Sequence, residues 1–249
     1  MLSALRQRAQ QLMTCAVSAL PSFCVLCSAR GSAAICPNCR AKFFGGKPLR
    51  CFRCADALPR MADGGLAVCG SCLRRAPAFD ATVVAADYAP PVDQLVLSLK
   101  FGANLALAPL FARLLLDALL DSEASRIAMP TVLTAVPLGP QRLAERGFNQ
   151  ALEIAKPLAR SLGIPLDPSL ALRVRETGAQ STLHPDERRK NIRRAFSVPN
   201  AALERIKGRH IGIVDDVITT GETLNELAAT FKRFGAAKIT SLVFARTPS

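Results

Sequence analysis

His210-Ile-Gly-Ile-Val-Asp-Asp-Val-Ile-Thr-Thr-Gly-Glu-Thr223 decides the reading of this chain. The apolar run Ile211–Val214 meets two adjacent carboxylates, Asp215 and Asp216. The hydroxyl- and glycine-rich turn Thr219-Thr220-Gly221-Glu222-Thr223 follows. The pattern predicts a buried strand, a loop, then a helix over Glu222–Phe234, with Leu224, Leu227, Ala228 and Phe231 on one face and Gly235 just past its end. A second buried strand is expected over Lys238–Phe244. Acids at the carboxyl end of a strand in an open parallel sheet fall where such sheets bind ligands.

The chemistry of the loop narrows the ligand. Gly221 permits positive φ, Thr219, Thr220 and Thr223 can donate to phosphate oxygens, and the unpaired N–H groups of the first helical turn complete an anion cradle. Two carboxylates beside it would repel a phosphate, but they suit the 2′- and 3′-hydroxyls of a ribose and can help hold Mg²⁺. The expected ligand is a ribose 5-phosphate, with Val214, Val217 and Glu222 also lining its site and Glu222 turned outward. An ordinary strand, turn and helix with surface aspartates would leave the pairing of acids and hydroxyls unexplained.

Working towards the amino terminus, strands are expected at Phe196–Val198, Thr131–Val136 and Ala81–Ala86, with helices at Ala151–Leu162, Ala103–Leu119 and Val92–Leu99. After Thr131–Val136 comes Pro137-Leu-Gly-Pro-Gln-Arg142-Leu-Ala-Glu-Arg146-Gly147-Phe-Asn149-Gln150. Arg142 and Arg146, one helical turn apart beside Gly147, can clamp a diphosphate, and Asn149 adds a neutral donor. A further polar stretch contains Arg173, Arg175, Gln180 and Ser181 and reads as a mobile loop. It runs through His184 into the cation-dense 186–194, which could serve pyrophosphate or a nucleic-acid backbone, or simply be solvated.

Eight of the nine cysteines form four CxxC pairs, Cys24/Cys27, Cys36/Cys39, Cys51/Cys54 and Cys69/Cys72. Two such knuckles make the S₄ set that Zn²⁺ prefers, so two structural zincs are expected, paired sequentially or interleaved. A disulfide scaffold would need export, and an iron–sulfur centre fits this regular spacing less well. The intervening residues offer almost no core, so metal would supply the stability. The division expected is a helix over 1–22, a double zinc ribbon over 23–77, and an α/β domain with a Rossmann-type parallel sheet over 78–249.

The formal charge of +13 on 249 residues calls for an anionic partner. Having no Trp and one Tyr argues against an aromatic groove for stacked bases. Leu105–Leu120, the most apolar stretch, is broken by Pro109, Arg113 and Asp117, so no membrane span is expected. The first 20 residues lack the apolar core of a secretory signal.

The run around Asp215 and Asp216 resembles the phosphoribosyl pyrophosphate (PRPP) signature of type I phosphoribosyltransferases. Together with the CxxC module, Ala86-Asp-Tyr-Ala-Pro-Pro91 and the Arg142/Arg146 segment, the whole chain resembles the ComF family of competence proteins, including its GntX-like members. That resemblance implies a type I phosphoribosyltransferase fold, PRPP with Mg²⁺ as ligand, and a cytoplasmic role in natural transformation or DNA utilisation. It also implies single-stranded DNA and a helicase-like competence ATPase as partners. Asp215, Asp216, Arg142 and Arg146 would then be catalytic, with Arg173, Arg175, Gln180 and Ser181 in a loop that closes over the pyrophosphate. The acceptor stays open. So does the alternative of a non-catalytic DNA-binding adaptor whose PRPP site is regulatory.

Overall fold

The computed structural model describes residues 22–46, 48–59, 67–120, 127–174 and 194–248. The expected amino-terminal helix, save for Ser22, and Arg175, Gln180, Ser181, His184 and most of the basic run lie outside them. The chain divides into two compact units, Met1–Gly46 and Lys47–Ser249. The first and second cysteine sets therefore fall in different units.

In the first unit, two-residue strands β1 (Ser22–Phe23) and β2 (Arg30–Gly31) pair antiparallel ahead of helix α1 (Pro37–Arg40), which continues into a π-turn over Ala41–Gly45. In the second unit, helix α2 (Gly70–Arg74) precedes strand β3 (Ala81–Asp87), helix α3 (Val92–Phe101) and helix α4 (Leu107–Leu119). Strand β4 (Val132–Ala135), helix α5 (Pro140–Arg146) and helix α6 (Gln150–Leu162) follow. Strands β5 (Leu172–Arg173) and β6 (Phe196–Ser197) come next, then the short helix α7 (Leu203–Ile206). Strand β7 (His210–Ile218), helix α8 (Glu222–Arg233) and strand β8 (Lys238–Arg246) complete the chain.

Among the described residues the main sheet has four parallel strands in the order β3-β8-β7-β4. The central strands read as continuous apolar runs because both faces are covered. On one face Phe244 of β8 stacks on Phe111 of α4, ring centroids 3.6 Å apart. On the other, Leu224, Leu227 and Phe231 of α8 join Ile211, Ile213, Ile239 and Val243 in one buried cluster. The strand expected at Phe196–Val198 pairs, among the described residues, with β5 in a separate two-stranded ribbon.

One glycine of β7 sets the spacing of the sheet. A Cβ on Gly212 would lie 2.5 Å from Leu133 Cδ2 and 2.9 Å from Pro130 Cγ. Gly212→Ala is expected to cost about 1–3 kcal/mol through overpacking, and about 2–4 °C of melting temperature for each of those kcal/mol. A thermal melt of the variant checks this.

Candidate functional site

The acids of β7 occupy a notch in the sheet. β4 ends at Ala135, opposite Val214, and the last bond across that seam runs from the Val136 N–H to the Val214 carbonyl at 3.0 Å. β8 keeps pairing with β7 as far as Ile218, opposite Arg246. The strand expected to stop at Val214 therefore carries both aspartates within it, paired on one side and open on the other.

Asp216 is 3% exposed. Its Oδ1 accepts the Val217 N–H at 2.9 Å. Its Oδ2 lies 2.7 Å from Lys100 Nζ, an ion pair not aligned as a hydrogen bond, and has no other partner among the described residues. Asp215 is half-buried, and its Oδ1 accepts the Asp216 N–H at 2.9 Å. Burial, and then the like charge of Asp216, hold the Asp215 carboxyl well above the usual carboxylate range, with Lys100 opposing them. Asp215 thus favours keeping its proton until a cation or hydroxyl donors arrive.

Beyond the acids, Thr219 and Thr220 are exposed. Gly221 has φ +80°, and α8 starts at Glu222 with no side-chain cap. An uncapped helix start leaves first-turn N–H groups for an anion. Thr223 belongs to that turn, while Val217, Glu222 and Thr223 are half-buried and Val214 is fully buried.

Arg142 and Arg146 sit one turn apart on α5, which ends at Gly147 with φ +77°. Arg146 lies over the Phe101 ring, 5.4 Å from its centroid, and its Nη1 donates to Gln150 Oε1. Its pKa is lowered, first by burial and also by neighbouring Arg142, against the pull of Asp216. The charge of Asp216 is thus felt at Arg146, and an anion beside Arg142 and Arg146 would relieve the repulsion between the two cations. Asn149 is engaged at both ends of its amide: Oδ1 caps α6 by accepting from Ala151 and Leu152, and Nδ2 donates to the Val136 carbonyl. Arg173, expected in a mobile loop, is 8% exposed in the β5/β6 ribbon, with its guanidinium 5.7 Å from the Phe196 ring centroid. Sequence reasoning missed Lys100 and Phe101, which α3 brings against Asp216 and Arg146.

The cysteines gather sequentially, Cys24, Cys27, Cys36 and Cys39 in one set and Cys51, Cys54, Cys69 and Cys72 in the other, the sulfurs of each set within 4.8 Å of one another. None of these eight is in a disulfide. The two sets repeat one geometry. In each, the first knuckle turns through a residue of positive φ, Ser28 or Ala55, and the second supplies the side-chain cap of a short helix, Cys36 for α1 or Cys69 for α2. The ribbon character expected shrinks to two-residue strands in the first set and to one bridge, Arg50 with Ala57, in the second. Cys27 and Cys36 Sγ lie 3.7 Å apart, Cys54 and Cys69 Sγ 3.6 Å. Four sulfurs about 2.3 Å from a tetrahedral Zn²⁺ stand about 3.8 Å from one another, so both sets fit that ion.

The second set is sewn to the sheet. The Thr82 N–H of edge strand β3 donates to the Phe52 carbonyl at 3.1 Å, and Arg50 Nη2 to Asp87 Oδ1 at 2.8 Å. Cys54 packs against the main core. No helix among the described residues is long and apolar enough to cross a membrane.

Against known proteins, residues 149–249 match the family described as "Phosphoribosyl transferase domain". The chain is 35% identical to the "DNA utilization protein YhgH" of Escherichia coli strain K12, over 92% of this chain and 98% of that protein. It is also 35% identical to "Competence protein F" of Haemophilus influenzae strain Rd, over 69% of this chain and 75% of that one. Among solved structures it is similar to the glutamine PRPP amidotransferase of B. subtilis, at 20% identity and a TM-score of 0.34, over 56% of this chain and 25% of that one. That likeness is too remote to add to the sequence matches. With its phosphoribosyltransferase fold and two Cys₄ clusters able to hold zinc, the chain belongs to the ComF family of competence and DNA-utilisation proteins.

Proposed function

We propose that this chain binds PRPP with Mg²⁺ and transfers its phosphoribosyl group to an acceptor during DNA utilisation or competence, in the cytoplasm. The observation that supports the reading is the succession along β7 and into α8 of half-buried Asp215, buried Asp216 and the uncapped Gly221 turn, with the charge of Asp216 felt at Arg146. The 5-phosphate would rest on the N–H groups and hydroxyls of Thr219–Thr223. Asp215 and Asp216 would accept from the ribose 2′- and 3′-hydroxyls.

In the reaction the C1–oxygen bond to pyrophosphate breaks, its electron pair leaving with pyrophosphate. A nitrogen lone pair of the acceptor forms the new bond at C1, and the acceptor's proton passes to solvent. Arg142 and Arg146 stabilise charge on the departing group, and no protein side chain needs to be the nucleophile. Mg²⁺, when bound, supplies further positive charge to the pyrophosphate. Two Zn²⁺ ions are structural in this reading, because closed S₄ sites leave no open coordination position.

A screen for pyrophosphate release from PRPP across bases, amines and oligonucleotides tests turnover. Release with one acceptor class is expected, and none with any class would leave only a binding role. Single-stranded DNA and a helicase-like ATPase are the proposed partners, the first supported by the +13 charge. The logarithm of DNA affinity should then fall linearly with log salt, by about 0.7 per phosphate neutralised, whereas a flat response would remove DNA from the proposal.

A further inference from the structure

One buried cation joins the second cysteine set to the phosphate turn. Arg246, the last residue of β8, is 7% exposed. Its Nε reaches Asp56 Oδ1 at 3.4 Å, and its Nη1 donates to the Thr219 carbonyl at 3.5 Å. Thr219 opens the turn that closes at Glu222, where α8 begins, so this contact grips the turn at its outset. The neighbouring Thr247 N–H donates to the Ile218 carbonyl at 3.0 Å, holding the same corner.

Asp56 in turn is placed by the knuckle. It stands two residues after Cys54, next to Ala55 with φ +59°, and its carbonyl accepts the Cys51 N–H at 2.7 Å. Arg50 Nη1 donates to the Ala55 carbonyl at 3.1 Å while its Nη2 holds Asp87. The shape of the Cys51–Cys54 loop thus decides where the Asp56 carboxylate stands. A guanidinium this buried depends on that carboxylate for compensation.

We infer that Arg246 is a positioning residue for the phosphate turn, and that through Asp56 it makes the turn's order depend on metal held by Cys51, Cys54, Cys69 and Cys72. What the turn binds rests on the phosphoribosyl reading; the mechanical link does not. With the knuckle closed on its metal, Asp56 is fixed and Arg246 holds the Thr219 carbonyl, so the turn meets its phosphate already ordered. With the knuckle open, that ordering must come out of the binding free energy.

The test is hydrogen exchange on the full chain, zinc-loaded and after chelation, reading amides 219–224 against the β7/β8 core. Arg246→Met in the loaded protein is expected to speed exchange in the turn by about tenfold and to weaken PRPP about tenfold in calorimetry, the core amides and the zinc content unchanged. Relative to the core amides, chelation should speed the wild-type turn equally and add nothing to Arg246→Met, and Arg246→Lys should restore part of the protection. Turn exchange in loaded Arg246→Met within about twofold of wild type, or chelation acting on the variant as strongly as on wild type, overturns the link. Should Arg246→Met fail to fold, Asp56→Ala carries the same comparison. If wild-type protein binds no PRPP, the phosphoribosyl reading fails by itself, and the exchange data still decide the link.

Discussion

Asp215→Asn is expected to abolish PRPP binding, by at least about a hundredfold, while making the folded protein more stable at neutral pH. The two effects have one cause. Burial and the adjacent Asp216 raise the Asp215 pKa in the folded state, so ionising it there costs stability. A group with a raised folded-state pKa contributes its stability below the unfolded-state value and loses it as pH climbs through the folded-state value. The amide removes that loss, and a gain of about 1–2 kcal/mol, or about 2–4 °C for each, is the order typical of a relieved functional site. The gain should shrink towards acid, where wild-type Asp215 is already protonated. By the same sign, PRPP affinity of wild type should weaken as pH falls through the raised pKa, since a protonated acid no longer accepts from both ribose hydroxyls. Melting curves and calorimetry over a pH series check both halves.

Zinc removal is the second large effect. The buried cluster of the second set is Cys51, Cys69 and Cys72, with Cys54, Leu58 and Val68 partly buried around it, and no other apolar side chain joins it among the described residues. Structural zinc contributes about 10–16 kcal/mol of apparent binding free energy in small finger peptides, so metal held by this set would dominate its order. Cys51→Ser, or exhaustive chelation, is expected to lower the melting temperature by at least about 10 °C, the loss including the bonds that tie the knuckle to β3. Elemental analysis should return close to two zincs per chain before chelation. Metal-free chains with an unchanged melt would contradict the assignment. Without metal, the Cys54 thiol above all, helped by backbone N–H groups against burial, brings Cys51 down to about 4, while burial and neighbouring thiols push Cys72 up to about 12. Binding zinc must therefore expel protons, and zinc retention should weaken as pH falls.

Much of this was legible from spacing. Asp215, Asp216 and the Gly221 turn announce themselves because the whole cradle is contiguous in sequence, and the CxxC pairs because each knuckle is local. What escaped is what depends on distant elements meeting. Lys100 reaches Asp216 across 115 intervening positions, and nothing in Leu99-Lys100-Phe101 marks the lysine as a counterion. The continuation of β7 through the acids depends on β8 outlasting β4, a property of the sheet and not of the strand. Asn149 illustrates a weighing error of a different kind. An Asn ahead of an apolar helical pattern is a helix cap before it is a ligand donor, and its side chain is used that way. Arg246 carries no local signature at all.

A crystal of the zinc-loaded protein grown with PRPP and Mg²⁺ decides where the ligand sits. The 5-phosphate is expected against the backbone N–H groups of 220–224, the ribose diol on Asp215 and Asp216, and the pyrophosphate turned to Arg142 and Arg146. A ligand seated elsewhere with the Gly221 turn vacant, or those carboxylates facing away from the sugar, would contradict that placement.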